Sequence, residues 1–196
     1  MAYSNIILNK KKVLGGIKMR LSVREMIMVG VGAALMAVFS QLSIPLPSVP
    51  LTLQVFGVVI ISVILGKKLG TLSIIVFMLL GAIGLPVFAG FTGGLNIITG
   101  ATGGYIIGFV FMAFIIGYFI EKDKKALAFI GAYLGLAVDY IFGVIQLKLL
   151  MGLTLEGALV AGLYPFIIKD LILTALGIMV AISIRIRVVG VIKLNA

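Results

Sequence analysis

The sequence predicts an all-α integral membrane protein with six transmembrane helices and a glycine-rich, partly re-entrant outer loop between the third and the fourth. Three observations lead there. Hydrophobic residues make up 62% of the 196-residue chain and charged residues 11%, against about half and a quarter in a soluble domain. Fourteen of the sixteen Lys and Arg lie at the N-terminus, in two short connections or after the last apolar stretch. Nine of the twenty-five glycines crowd into residues 81–108.

The spans follow in chain order, each judged against the roughly 17 to 25 apolar residues that a bilayer crossing needs. The first runs from Glu25 to Leu42 and stops at Pro45-Leu46-Pro47-Ser48-Val49-Pro50, which cannot continue a helix. The second, Leu51 to Gly66, ends at Lys67-Lys68, and the third runs from Leu69 to Gly84-Leu85-Pro86. The fourth, Gly103 to Ile120, is closed by Glu121-Lys122-Asp123-Lys124-Lys125. The fifth covers Ala126 to Leu147. The sixth covers Gly157 to Ile184, with a kink expected at Pro165. Residues 21–196 thus form one membrane domain. Residues 1–20 are a basic arm, which could be native, a tag or the product of an early start codon.

Charge sets the orientation. Both termini and the connections at 67–68 and 121–125 hold the basic clusters, whereas Lys148 is the one basic residue in the opposite connections. Positive charge stays on the cytoplasmic side, so both termini are expected there, in the cell membrane of a prokaryote. The formal net charge of +10 does not imply nucleic acid, because no aromatic residues interleave with these clusters as a stacking platform requires.

Several chemistries are excluded. With no cysteine, histidine or tryptophan, the chain has no disulfides, no thiol chemistry and none of the usual zinc, haem or iron–sulfur ligands. Gly66-Lys67-Lys68 lacks the Ser/Thr and the earlier glycine of a P-loop, so no ATP hydrolysis is expected from it. No nucleophile–base set is present. An aspartyl dyad of Asp139 and Asp170 is the best enzyme reading, but the motifs that surround such aspartates in intramembrane proteases are missing. The chain is expected not to be an enzyme.

The polar residues within the spans carry the function. Asp139 lies near the middle of the fifth span, Lys169 and Asp170 near the middle of the sixth. A charge at that depth costs roughly 2.5–3.5 kcal/mol on insertion scales, so such groups face the interior and find partners. Consecutive helix residues point ~100° apart. Lys169 and Asp170 are therefore expected to part, one facing the cavity and the other pairing elsewhere: a structural Lys169–Asp139 ion pair is one reading of Lys169, and Asp170 is expected to accept N–H groups from a solute. Gln54, just inside the second span, poses the same question. The neutral glycine-rich stretch, with Asn96, Thr99, Thr102 and Tyr105, is expected to fold back over the bundle and offer backbone N–H groups to a ligand. Small residues at Gly30, Ala33, Ala34 and Ala37 suit close helix packing or the docking of another protein.

Four motifs together resemble the BioY family of biotin transporters: Pro45 to Gln54, Gly81 to Gly90, Thr102 to Phe109, and Pro165-Phe166-Ile167-Ile168-Lys169-Asp170-Leu171. The resemblance covers about residues 20 to 185. It implies the substrate-binding (S) component of an energy-coupling factor transporter, which binds the vitamin while a transmembrane (T) subunit and two ATPase subunits drive transport. By resemblance, Asp170 and Asn96 hold the ureido group of biotin, the Gly93-Gly94 and Gly103-Gly104 backbone closes over it, and Tyr105 and Phe88 form the wall. Ala33 and Ala37 resemble the family's docking motif for the T subunit. The family pattern has glycine before the Asp and lysine three residues after it, where this chain has Lys169 and Leu173. Lys169, or Lys148 at the outer mouth, is then expected to meet the biotin carboxylate. The rival is a stand-alone secondary transporter for a small organic solute, driven through Asp170 and Asp139. No internal repeat links residues 20–100 to 101–185, which counts against it.

Overall fold

The computed structural model describes residues 21–122 and 124–194. The basic arm expected at residues 1–20 lies outside the described residues. Among the described residues the protein is all-helical apart from one short hairpin, and five of these helices are long and apolar enough to cross a membrane.

Helix α1 spans Val23–Gln41. Ser22 caps it by accepting the Glu25 N–H at 3.2 Å, while the Glu25 carboxylate accepts the Ser22 N–H at 2.8 Å, a reciprocal arrangement that satisfies two otherwise orphaned donors. The helix stops before the proline cluster, where β1 (Ser43–Ile44) pairs antiparallel with β2 (Leu51–Thr52), Ser43 opposite Thr52. Prolines 45, 47 and 50 fall in the turn, where no ladder N–H is required.

Helix α2, Gln54–Ala82, is continuous except at Gly66, whose φ of 75° and ψ of −173° are not helical. That region of backbone space is open essentially to glycine alone. A Cβ placed on Gly70 would lie 2.9 Å from the Ser62 Cα, although residues eight apart in an unbroken helix are separated by ~12 Å. The two arms, 54–65 and 67–82, therefore fold against each other. The free ends at the break are satisfied by other helices. Arg185 donates to the Val63 and Ile64 carbonyls at 2.8 and 3.1 Å, and the Lys67 N–H donates to the Glu121 carboxylate at 2.8 Å. This is the helix-terminus problem answered inside an apolar bundle.

After a connection containing α3 (Leu95–Ile98) come α4 (Gly103–Ile120) and α5 (Lys125–Met151), the most extensive helix pair. Glycines let their backbones meet: Gly104 and Gly108 on α4 press against Gly143 and Asp139 on α5, and Gly135 faces Met112. Small residues at a helix interface permit that approach. Helix α5 ends on Gly152, left-handed at φ 63°.

The sixth span differs from expectation. Residues 155–162 form a separate short helix, α6 (Leu155–Gly162), and α7 starts anew at Tyr164 and runs to Leu194. The break falls at Leu163, and Pro165 occupies the first turn of α7, where its missing N–H has no partner to lose. Pro165 starts the helix rather than kinking it.

Met36, Val58, Ile74, Phe77, Met112 and Ile116 form the centre of the core, completely covered. The outer faces are apolar too: Ile27, Val31 and Val38 on α1, Ile141 and Ile145 on α5, and Ile168, Ile172 and Met179 on α7 are exposed. An exposed apolar belt this large suits lipid and not water. One end of the bundle gathers charge, with the Glu25–Lys68 pair at 3.6 Å close to the Gly66 junction, Glu121 and Arg185. The other end carries the hairpin and the glycine-rich connection.

Candidate functional site

A cavity of about 240 Å³ opens among the helices at the end that carries the hairpin. Val49, Pro50 and Thr52 of the hairpin, and Gln54 and Val55 at the start of α2, form one wall. Phe88, Ala89, Thr92 and Ile97 of the glycine-rich connection form another. Tyr105, Ile106 and Phe109 reach in from α4, Asp139 and Tyr140 from α5, and Phe166, Lys169 and Asp170 from α7. The wall is largely apolar with a few converging polar groups, as small-solute sites usually are.

Those polar groups are wired together. Tyr140 donates its hydroxyl to Asp170 Oδ2 at 2.7 Å. Lys169 Nζ lies 2.6 Å from Asp170 Oδ1 and donates to the Thr52 carbonyl at 2.6 Å. The Lys169–Asp170 contact is an ion pair without the alignment of a hydrogen bond, so Oδ1 remains without a hydrogen-bond donor. Thr52 in turn donates to Gln54 Oε1 at 3.1 Å, and Gln54 Nε2 donates to Ser40 at 3.1 Å. Tyr105 donates to the Gly162 carbonyl at 2.8 Å, and its ring meets that of Tyr140 edge to face at 6.4 Å. Buried polar groups stay buried at tolerable cost only in such networks.

The expected Lys169–Asp139 pair does not form. Lys169 pairs with its sequence neighbour Asp170, because a four-carbon side chain can bend across the ~100° between successive residues. Asp139 stands in the cavity wall, 1% exposed, with no hydrogen-bond partner for Oδ1.

The glycine-rich connection lies down on the bundle because two glutamines hold it. Gln41 of α1 donates to the Val87 and Phe88 carbonyls at 3.2 and 3.1 Å and accepts the Phe91 N–H at 2.8 Å. Gln146 of α5 donates to the Ile98 and Gly100 carbonyls at 2.8 and 2.7 Å. Phe88, 1% exposed, covers the bare backbone of Gly81 and meets Phe77 edge to face at 5.4 Å.

Of the ten ligand-binding candidates, Asp170, Lys169, Tyr105, Phe88 and Gln54 meet in the cavity wall. The other five lie elsewhere. Asn96 is exposed on α3. Gly93 packs on the backbone of Gly84 and Leu85, and Gly94 donates its N–H to the Gly81 carbonyl at 2.7 Å. Gly103 and Gly104 lie in the first turn of α4, against Ile98 and α5. On α1, Ala33 is 3% exposed and packs in the core with Ala37 against it, while Gly30 and Ala34 are exposed. Lys148 is exposed near the end of α5. Sequence reasoning missed Tyr140, Thr52, Thr92 and Phe166, and left Asp139 outside the site. The available signal was Gly108 and Gly143, whose absent side chains bring Tyr105 and Phe109 level with Asp139 and Tyr140.

The chain is similar in sequence and in fold to known proteins. The family model described as "BioY family" matches residues 10–189. The chain is 40% identical over 163 residues to the protein named "Biotin transporter BioY" of Thermotoga maritima, covering 83% of this chain and 96% of that one. It is 40% identical over 158 residues to the "Probable biotin transporter BioY" of Pyrococcus horikoshii, covering 81% and 94%. A solved structure described as the S-component for biotin from an ECF-type ABC transporter superposes with a TM-score of 0.76 at 28% identity, over 87% of this chain and 95% of that one.

Proposed function

The chain belongs to the BioY family, and from that premise we propose that it captures biotin as the S component of an energy-coupling factor transporter. The observation that carries the reading is the cavity in which an Asp170–Lys169 pair is set among apolar and aromatic side chains. Biotin has matching parts: a ureido group with two N–H donors and a carbonyl, an apolar thioether ring, and a carboxylate tail. Asp170 accepts one ureido N–H. Lys169, held at the same polar point by the 2.6 Å pairing, donates to the ureido carbonyl instead of reaching the distant tail. Tyr105, Phe88 and Phe109 enclose the ring. The reading does without Asn96, which is exposed, and it leaves the carboxylate to the loop wall, where Thr92 and Thr102 stand.

The protein crosses the cell membrane six times in this reading, with the two arms of α2 as the second and third crossings and both termini cytoplasmic. The charged end, with Lys67, Lys68, Lys122 and Arg185 near the Gly66 junction, supports the orientation. The glycine-rich connection, partly re-entrant, then covers the cavity from outside. A T subunit and two ATPase subunits supply the energy.

Equilibrium binding to purified protein, with biotin compared against riboflavin and thiamine, tests the ligand. Biotin alone is expected to bind. Asp170→Asn also strips Lys169 of its paired charge and is expected to weaken biotin binding by about tenfold, or ~1.4 kcal/mol; unchanged affinity in that variant removes Asp170 from the site. The second carboxylate in the cavity, Asp139, keeps a solute carrier driven by protons or Na⁺ as the alternative. Co-purification separates the two, because an S component brings ATPase subunits with it and a secondary carrier does not.

A further inference from the structure

Asp139 is the one acidic side chain in the cavity wall that the network around Asp170 does not use. It stands mid-way along α5, is 1% exposed, and none of the hydrogen bonds among the described residues reaches its Oδ1. Lys169 and Tyr140 are both committed to Asp170, and the Tyr105 hydroxyl is committed to Gly162. The protein keeps room for the carboxyl group: a Cβ on Gly108 would lie 2.5 Å from that oxygen and 2.9 Å from the Asp139 Cα. A buried acceptor left without a donor costs on the order of 1–3 kcal/mol. At membrane depth that cost marks a functional group by default. Gly108 seats that oxygen against α4, while the Asp139 carboxyl as a whole lines the cavity and can turn toward an N–H group of a solute there.

We propose that Asp139 is a second ligand-contacting residue, which accepts one N–H of the solute's cyclic urea while Asp170 accepts the other. The inference rests on the biotin reading and deepens it. The two N–H bonds of a cyclic urea diverge on either side of its carbonyl, so one carboxylate cannot align with both. Two acceptors carried by separate helices can. Asp170 comes from α7 and Asp139 from α5, and Tyr140, next to Asp139 in sequence, links the two helices through its bond to Asp170. Selectivity for a urea over a solute lacking one of the donors follows, because that solute would leave a buried oxygen unpaired.

Two variants of similar volume test it. Asp139→Asn keeps an acceptor oxygen and is expected to hold biotin within about threefold of the parent, whereas Asp139→Leu has none and is expected to lose about tenfold. Monodispersity and thermal melting of both variants are checked first, and Asp139→Asn carries the test alone if Asp139→Leu does not fold. With biotin labelled by ¹⁵N at both ureido nitrogens, Asp139→Asn is expected to move one of the two bound N–H signals. Equal losses in both variants, no loss in either, or two unmoved signals overturn the inference. A parent protein that binds no biotin overturns the proposed function instead.

Discussion

The Tyr140 hydroxyl lies 2.7 Å from Asp170 Oδ2 and donates to it, fixing a carboxylate on α7 from a residue on α5. With Oδ2 bonded to Tyr140 and Oδ1 paired with Lys169, the carboxylate is held in one orientation. A hydrogen bond to a charged group contributes roughly 1.5–3 kcal/mol. Tyr140→Phe removes only the hydroxyl and is expected to weaken biotin by about tenfold or more in isothermal titration. An affinity equal to that of the parent would mean that Lys169 alone orients Asp170.

The break in α2 gives a stability prediction. Gly66 has φ 75° and ψ −173°, and a Cβ there would lie 3.0 Å from the Glu121 carboxylate. Gly66→Ala adds strain of about 1–3 kcal/mol and presses on the group that caps the second arm. A lower thermal midpoint in detergent is expected, with biotin affinity in the surviving folded fraction unchanged. Arg185→Met, which strips the Val63 and Ile64 carbonyls of their donor, should lower the midpoint in the same way.

Gln41 and Gln146 hold the connection over the cavity at its two ends. Leucine at either position leaves two half-buried carbonyls without their donor and loosens the cover. Affinity changes within one site fall mostly on the dissociation rate, so both variants are expected to release biotin about threefold to tenfold faster in stopped flow. Slower release would show that the connection does not close the site.

Helix α1 separates packing from docking. Ala33 is buried in the core, whereas Gly30 and Ala34 face outward. Ala33→Leu overpacks the bundle and is expected to destabilise it by about 1–3 kcal/mol. Ala34→Leu should leave stability and biotin affinity alone and reduce co-purification with the T subunit. If Ala34→Leu assembles and transports normally, the docking face lies elsewhere.

Much of this was readable before folding because membrane physics acts on single segments. A stretch such as Gly103 to Ile120 has one stable option in lipid, and charge runs such as Lys67-Lys68 can end a span but not sit within one. The α1 stop at Pro45 and the α4 limits follow from such local rules. The start of α7 did not. Pro165 has the same chemistry in mid-helix and in a first turn, and only the break at Leu163 makes it the latter.

The apolar excess, the segment boundaries and the presence of ionisable groups at membrane depth are properties of the residues themselves, and they were legible without coordinates. Which oxygen meets which donor was not. Lys169 turns to Asp170 and not to Asp139 because Thr52, 117 positions earlier in the chain, offers its carbonyl beside that carboxylate. Asn96 is turned outward because two glutamines from other helices pin the segment that carries it. Partners that distant in the chain leave no periodicity to read. They exist only once the helices have packed.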